Sequence, residues 1–441
     1  MGTHITTTTE DPAAAPATSS RKSRIYPWVV FVLIFGLLLS DYMSRQVLSA
    51  VFPFLKEEWA LSDSELAALN SVVALMVGLC AIPLSLLADR WGRLKSVILM
   101  ATIWSVATLM CAVATSYGQM LGARFLIGVG EAAYSSVGLA LLLTIFAPGK
   151  RSAISGAFLA GSPIGSVVGV MLGGVIAVHV GWRWSFASLA ILGLILVALF
   201  RAVVTERRLA EYRYSDPAEA QQTAAQGYRA PLSSLITNPA VLCAYIGGGL
   251  LVFTPAVLMA WLPSFFNRYY DMVPDRAGAM AALFILCISV GMPLCGLITD
   301  RISRIAPIRK WLVSAIFCLL SAVLLLTGFA AEPGVPQLVM LAAGAFFSNG
   351  AFGPVTALVA DLTHSSLRAT ALGTAILFYN LLGLALGPMV VGALADRIGL
   401  YSALQLSPLM YLAAIVALVV GKRLYPAGTR KLAALDTRPT M

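Results

Sequence analysis

Twelve stretches of this chain are apolar for about twenty residues or more, with short polar segments between them. They fall at 28–50, 68–88, 97–115, 119–146, 152–179 and 184–204, then at 239–265, 276–299, 311–330, 336–360, 368–394 and 400–424. A helix crosses the hydrocarbon core of a bilayer with roughly 20 residues, so each stretch is a candidate span. An open strand or loop in lipid leaves backbone groups unpaired at several kcal/mol each. The pattern therefore predicts an all-α polytopic membrane protein with twelve transmembrane helices.

The polar segments repeat. Leu87-Ala-Asp-Arg-Trp-Gly-Arg-Leu-Lys95 follows an apolar run broken by Pro83, and Ile298-Thr-Asp-Arg-Ile-Ser-Arg304 follows one broken by Pro293. Arg151-Ser-Ala-Ile-Ser-Gly156 returns in the same order as Arg368-Ala-Thr-Ala-Leu-Gly373, 217 residues on. The chain reads as two pseudo-symmetric six-helix bundles, 25–204 and 238–424, joined by a polar cytoplasmic linker at 205–237. Polar tails at 1–24 and 425–441 flank them. Duplicated halves of this kind mark a secondary transporter.

Composition agrees: 59% of residues are hydrophobic and 11% charged, about half the charge of a soluble domain. The net charge of +10 would suit a nucleic-acid binder only with a basic soluble face, which the sequence lacks. Topology accounts for it better. With the amino terminus in the cytoplasm, 23 of the 30 basic residues fall on inner segments, so both termini are expected to be cytoplasmic. In a bacterium this would be the inner membrane. The first helix is read as uncleaved, because a long polar stretch precedes it and no small-residue cleavage site closes it.

Ionisable residues within spans are costly unless paired, protonated or facing water, and by default they mark function. Glu131 sits about 12 residues, or roughly 18 Å, inside the fourth span. Arg124 lies two turns earlier on the same face. Asp41 and Arg45 in the first span are an i, i+4 pair. Burial favours a neutral acid and a nearby cation favours a charged one, so movement of an arginine can load or release a proton. Glu131 and Asp41 are the candidate proton-coupling residues. Arg124, Arg45, Tyr42, Ser44 and Tyr134 are candidates for substrate binding or charge pairing.

The second half carries neutral polar and aromatic groups instead, with Trp261, Asn349, Tyr379 and Asn380 as candidate substrate contacts. Such asymmetry suits a molecule with one polar end and one apolar body. Gly161, Gly165, Gly169, Gly173 and Gly174, with Gly383, Gly387 and Gly392 in the second half, are expected to form sliding surfaces between the bundles.

Other functions are excluded or demoted. There is no phosphate-binding Gly-x-x-x-x-Gly-Lys loop and no nucleotide-sized domain. Three histidines without ligand spacing suggest no metal, and six cysteines in spans without paired spacing read as reduced apolar residues. No nucleophile and base constellation indicates an enzyme, and no cofactor is expected.

The twelve spans, the central linker and the Asp89-Arg90-Trp91-Gly92-Arg93 loop resemble the major facilitator superfamily. Arg124-Phe-Leu-Ile-Gly-Val-Gly-Glu131-Ala-Ala-Tyr-Ser135 resembles its spinster-like branch, and Gly181-Trp-Arg-Trp-Ser-Phe186 is shared with the anion:cation symporter branch. Both branches usually carry Asn-Tyr-x-Asp-Arg in the first helix. Here Asp41 precedes Tyr42, and Ser44 takes the acidic position. The resemblance implies a monomeric carrier working by alternating access, with Asp89, Arg90, Gly92, Arg93, Arg151, Asp300, Arg301 and Arg304 as gating residues. It implies a proton-coupled carrier of an amphipathic, lipid-like molecule. Alternatives are a proton symporter of a sugar acid or aromatic acid, or an efflux carrier of drugs or metabolites.

Overall fold

The computed structural model describes residues 25–147, 150–212, 233–304, 306–364 and 367–436. The expected tail at 1–24, residues 213–232 of the linker and 437–441 lie outside these. Within the described residues there is no strand, and twelve helices are long and apolar enough to cross a membrane. The first half holds α1 (Tyr26–Trp59), α2 (Asp63–Ala88), α3 (Arg93–Val113), α4 (Tyr117–Ile145), α5 (Ala153–His179) and α6 (Trp182–Val203). The second holds α7 (Pro239–Tyr269), α8 (Pro274–Ser303), α9 (Arg309–Ala330), α10 (Val335–Asp361), α11 (Thr370–Ile398) and α12 (Leu400–Ala433).

Several helices outrun their apolar stretches. Helix α1 continues through Lys56, Glu57 and Glu58, and α2 starts five residues early at Asp63, because a Ser62/Glu65 capping box satisfies its first turn. Hydropathy ends where charge begins, but backbone hydrogen bonding does not. The last helix extends to Asp436, past the expected boundary at 424. It is held by Asn238, which donates to the Gly428 carbonyl at 3.3 Å, and by Lys431, which donates to the Thr237 carbonyl at 3.0 Å. The linker begins as a short helix, Glu206–Tyr212, with the Tyr212 ring 4.8 Å from that of Tyr26.

The Gly181-Trp-Arg-Trp stretch has a structural use. Gly181 takes φ +109°, turning the chain from α5 into α6. Trp182 Nε1 donates to Glu58 at 2.6 Å, Arg183 donates to both Glu58 oxygens, and the Arg183 guanidinium lies 4.3 Å from the Trp182 ring centre. This ties the α5–α6 turn to the end of α1.

The glycines correct an expectation. Gly165, Gly169 and Gly173 recur every four residues on one face of α5, and that face packs on α1 within the same half. A Cβ at Gly169 would stand 2.6 Å from the Met43 carbonyl oxygen, and one at Gly165 2.7 Å from that of Leu39. Gly383 and Gly387 likewise pack on α7 within the second half. Only Gly174, turned about 100° from Gly173, and Gly392 approach the opposite half, at Pro274 and Asp63. Most of this glycine surface is therefore fixed packing that lets backbones come close.

The halves meet on the face opposite that carrying the first and last described residues, here the far face. Arg268 of α7 grips Asp63 of α2 with two hydrogen bonds at 2.7 and 2.8 Å, and Lys56 adds a third at 2.6 Å. Helix α5 touches α8 at Gly174–Pro274 and Gly278–Val170. Toward the terminal face the halves part. Gly156 on α5 and Gly296 on α8 face open space, and a Cβ at Gly373 on α11 would have only Ile82 of α2 near it among the described residues, at 3.9 Å. The molecule is closed at the far face and open at the terminal face.

Gly169→Val should lower thermal stability by roughly 1–3 kcal/mol, because a branched side chain would force α5 from the α1 backbone. Thermal unfolding in detergent measures this; a wild-type midpoint would show that the contact is loose.

Candidate functional site

The charged residues of α1 and α4 gather at the depth where α4 breaks. Its first segment ends at Glu131, Ala132 and Ala133 form a turn, and the helix resumes at Tyr134. Helix α10 breaks at the corresponding place, ending at Ser348 and resuming at Phe352 around Asn349. Glu131 and Asn349 are thus related by the same offset, within a residue, as Arg151 and Arg368. Helix α11 adds a π-helical segment, Tyr379–Ala385. Discontinuous helices near the midplane and π segments both concentrate at binding sites.

Arg45 Nε lies 3.3 Å from Glu131 Oε2, with the Glu131 side chain only 3% exposed. Asp41 belongs to the same buried cluster, near enough to Glu131 for the two acids to interact. Asp41 Oδ1, Glu131 Oε1 and Arg45 Nη2 are buried without a hydrogen-bond partner. Two ionised carboxylates offer only acceptors to each other, and a proton shared between them would supply the donor that the pair lacks. Ser44 braces the site by donating to the Asp41 carbonyl at 2.8 Å, and Arg45 lies 6.0 Å from the Tyr42 ring centre.

Arg124 is fully buried, yet it makes no ion pair among the described residues. It donates to the carbonyls of Leu69 at 3.1 Å, Ser44 at 3.4 Å and Arg45 at 3.5 Å. The expected neighbourhood of Arg124 and Glu131 is corrected here: the cation on Glu131 is Arg45. Arg124 points toward α1 and α2 and fastens the backbone that carries Arg45. Tyr134 is buried against Trp104 and donates to the Ile34 carbonyl at 2.8 Å, which places it in packing. Trp261 is also core, donating to the Pro388 carbonyl and stacking obliquely on Phe52.

In the second half, Tyr379 and Thr356 share a hydroxyl contact of 3.2 Å. Asn349 donates to the Met292 sulfur while its Oδ1 has no partner. Asn380 donates to the Ile376 carbonyl while its Oδ1 likewise has none. Beside them lies an apolar cavity of about 470 Å³, walled by Met292, Pro293 and Gly296 of α8, by Phe352 to Ala360 of α10, and by Leu372 of α11. Gly296 is on the α8 face that packs on α5 at Gly278, 18 residues or five turns earlier. The cavity therefore faces the gap between the halves. The apolar run Phe352 to Ala360 was the sequence signal for it, and it was indistinguishable from ordinary span.

Of the expected gating residues, Arg93 donates to the Ala140 carbonyl at 3.3 Å, and Gly92 makes the α2–α3 turn at φ +99°. Arg151 is half-buried at the start of α5. Arg90, Asp300, Arg301 and Arg304 are exposed at the terminal face. The Asp89 side chain lies outside the described residues. Lys56, Asp63 and Arg268, which close the far face, were not foreseen: their sequence signal was charge at span ends, where topology alone already accounts for charge.

The chain is 27% identical over 310 residues to the "Probable L-galactonate transporter" of Escherichia coli, covering 68% of each. It is 26% identical to "Protein spinster" of Drosophila melanogaster over 88% of this chain and 64% of that protein, so it spans less than two thirds of that relative. A "Hexuronate transporter" of Bacillus subtilis is 23% identical over 85% of this chain and 89% of its own. Its fold is that of a bacterial homolog to the human lysosomal transporter spinster, solved in an inward-facing and unoccupied conformation. The two align with a TM-score of 0.78 at 18% identity, over 95% of this chain and all of that one. The Major Facilitator Superfamily model matches residues 34–381 and 269–437. With twelve spans in two halves and this match, the chain belongs to the major facilitator superfamily and is a secondary transporter, not an enzyme.

Proposed function

We propose that the protein is a proton-coupled carrier of an amphipathic organic anion, working by alternating access. The reading rests on the Asp41–Glu131–Arg45 cluster at the break in α4. With one proton on the two acids, the trio is neutral. An anionic headgroup that enters can take Arg45 from Glu131 only if Glu131 gains a proton, because a buried carboxylate stripped of its cation is strongly unfavourable. Proton and anion then bind together and leave together. Arg45 Nη2, buried without a partner, is the donor available to the incoming anion.

The apolar cavity between α8, α10 and α11 gives the substrate's other end a place. Its walls are almost wholly hydrocarbon, with the Thr356 hydroxyl engaged by Tyr379. An alkyl or aromatic body fits there, in keeping with the spinster-like relatives. A sugar acid is the second reading. The names of the L-galactonate and hexuronate relatives favour it, and the free oxygens of Asn349 and Asn380 could accept its hydroxyls.

The distribution of Lys and Arg supports a cytoplasmic terminal face, and on that reading the conformation is inward-open. Both halves of the pathway lie in one chain, and the monomer is the proposed working unit. Asp89 with Arg90, Gly92, Arg93 and Arg151 would close the cytoplasmic face in the opposite state, with Asp300, Arg301 and Arg304 as the repeat's counterpart.

Glu131→Gln should abolish accumulation driven by a pH gradient in proteoliposomes and leave counterflow measurable, because an amide mimics the protonated acid but cannot release a proton. Full gradient-driven accumulation by this variant would refute proton coupling at Glu131.

Ala357→Trp should fill the cavity and weaken binding of a lysolipid at least tenfold, while a short sugar acid is unaffected. Thermal-shift titrations with both ligand types measure this. Tight lysolipid binding by the variant, or stabilisation by sugar acids alone, would move the assignment to the second reading.

A further inference from the structure

Helix α11 ends in the same letters as helix α2. Leu394-Ala-Asp-Arg-Ile-Gly399 matches Leu87-Ala-Asp-Arg-Trp-Gly92, but it stands on the far face, where the first copy stands on the terminal face. The backbones agree as well. Gly399 has φ +82° and Gly92 φ +99°; the Gly399 amide donates to the Ala395 carbonyl at 2.9 Å, and the Gly92 amide to the Ala88 carbonyl at 3.0 Å. In both, a new helix begins at the next residue.

The Asp396 side chain crosses to the other half. Its Oδ1 accepts from the Asp63 amide at 2.7 Å and its Oδ2 from the Ser64 amide at 3.0 Å. These are the donors that the first turn of α2 leaves open, since Ser62 Oγ and the Glu65 carboxylate cap each other's amides. A carboxylate at a helix amino terminus gains from both the hydrogen bonds and the positive end of the helix dipole. Gly392, one turn earlier, makes the approach possible: a Cβ there would stand 2.6 Å from the Asp63 carbonyl oxygen.

We propose that Asp396 is the far-face latch of the transport cycle, a carboxylate that caps α2 only while the far face is shut. The buried cluster cannot reach the far side unless α2 and α11 separate there, and separation uncovers the Asp63 and Ser64 amides and the Asp396 carboxylate together. The latch thus adds to the stability of the closed far face alone. It works beside the Arg268–Asp63 ion pair but through backbone donors, so it does not depend on the Asp63 side chain. No proton transfer is involved, and its failure would leave the coupling role of Glu131 standing.

Spin labels at Thr115 and Glu332, exposed far-face residues on opposite halves, report the opening in lipid nanodiscs, in a background lacking the native cysteines. Asp396→Asn should raise the ratio of far-open to far-closed molecules on the order of tenfold, as expected for charged hydrogen bonds lost from one state. Hydrogen exchange at the Asp63 and Ser64 amides should speed up with it. Asp396→Ser gives the same two readouts should the amide impair folding, and Glu57→Gln, at an exposed far-face carboxylate of α1, should change neither. An unaltered distance distribution together with unaltered exchange would overturn the latch. So would a shift toward the closed far face.

Discussion

Charge at membrane depth is tolerated only where an opposite charge, a proton or backbone carbonyls accompany it, and the middle of this molecule is organised around one such set. Glu131 is enclosed by protein, so an arginine or a proton has to accompany it. Arg45 supplies the first and Asp41 offers a place to hold the second. The break in α4 after Glu131 and the close packing of α1 on α5 set the distance between them. Gly165, Gly169 and Gly173 let the α1 backbone come near enough for Asp41 and Arg45 to reach α4. Arg124 then pins α1 by the carbonyls of Ser44 and Arg45.

The two halves divide the chemistry. The first holds the ionisable groups, while the second presents hydrocarbon and neutral polar groups at its own breaks in α10 and α11. On the proposed reading, a site so divided would couple a charge event to the binding of an amphipathic molecule, each half recognising a different end of it. Closing the site on either side needs contacts that exist in one conformation only. On the far face the Arg268–Asp63 ion pair and the proposed Asp396 latch would be such contacts.

Most of the architecture was legible in the sequence, because hydrocarbon leaves the backbone so few options. Twelve apolar stretches became twelve helices, and the duplicated loops marked the two halves. Helix ends were less legible: α1 and α2 continue through Lys56 to Glu58 and Asp63 to Glu65, where side-chain capping takes over from hydropathy. The buried cluster was legible as the residues Asp41, Arg45 and Glu131 but not as pairs, and Arg124, Tyr134 and Trp261 turn out to serve packing. Seven residues from Arg124 to Glu131 is two turns of helix, yet the Arg124 side chain is drawn toward the carbonyls of α1 and α2, and Arg45 arrives from another helix. Asp396 escaped because a search for duplicated halves looks about 210 residues on and on the same face. Its counterpart at Asp89 is on the opposite face of the membrane.

The central claim is that an anion takes Arg45 only as Glu131 takes a proton. Calorimetric titration of the purified transporter with an anionic lysolipid, repeated in buffers of different ionisation enthalpy, reads proton uptake directly. The wild type should take up about one proton per anion bound at a pH where the cluster carries a single proton. Binding with the same heat in every buffer would contradict it.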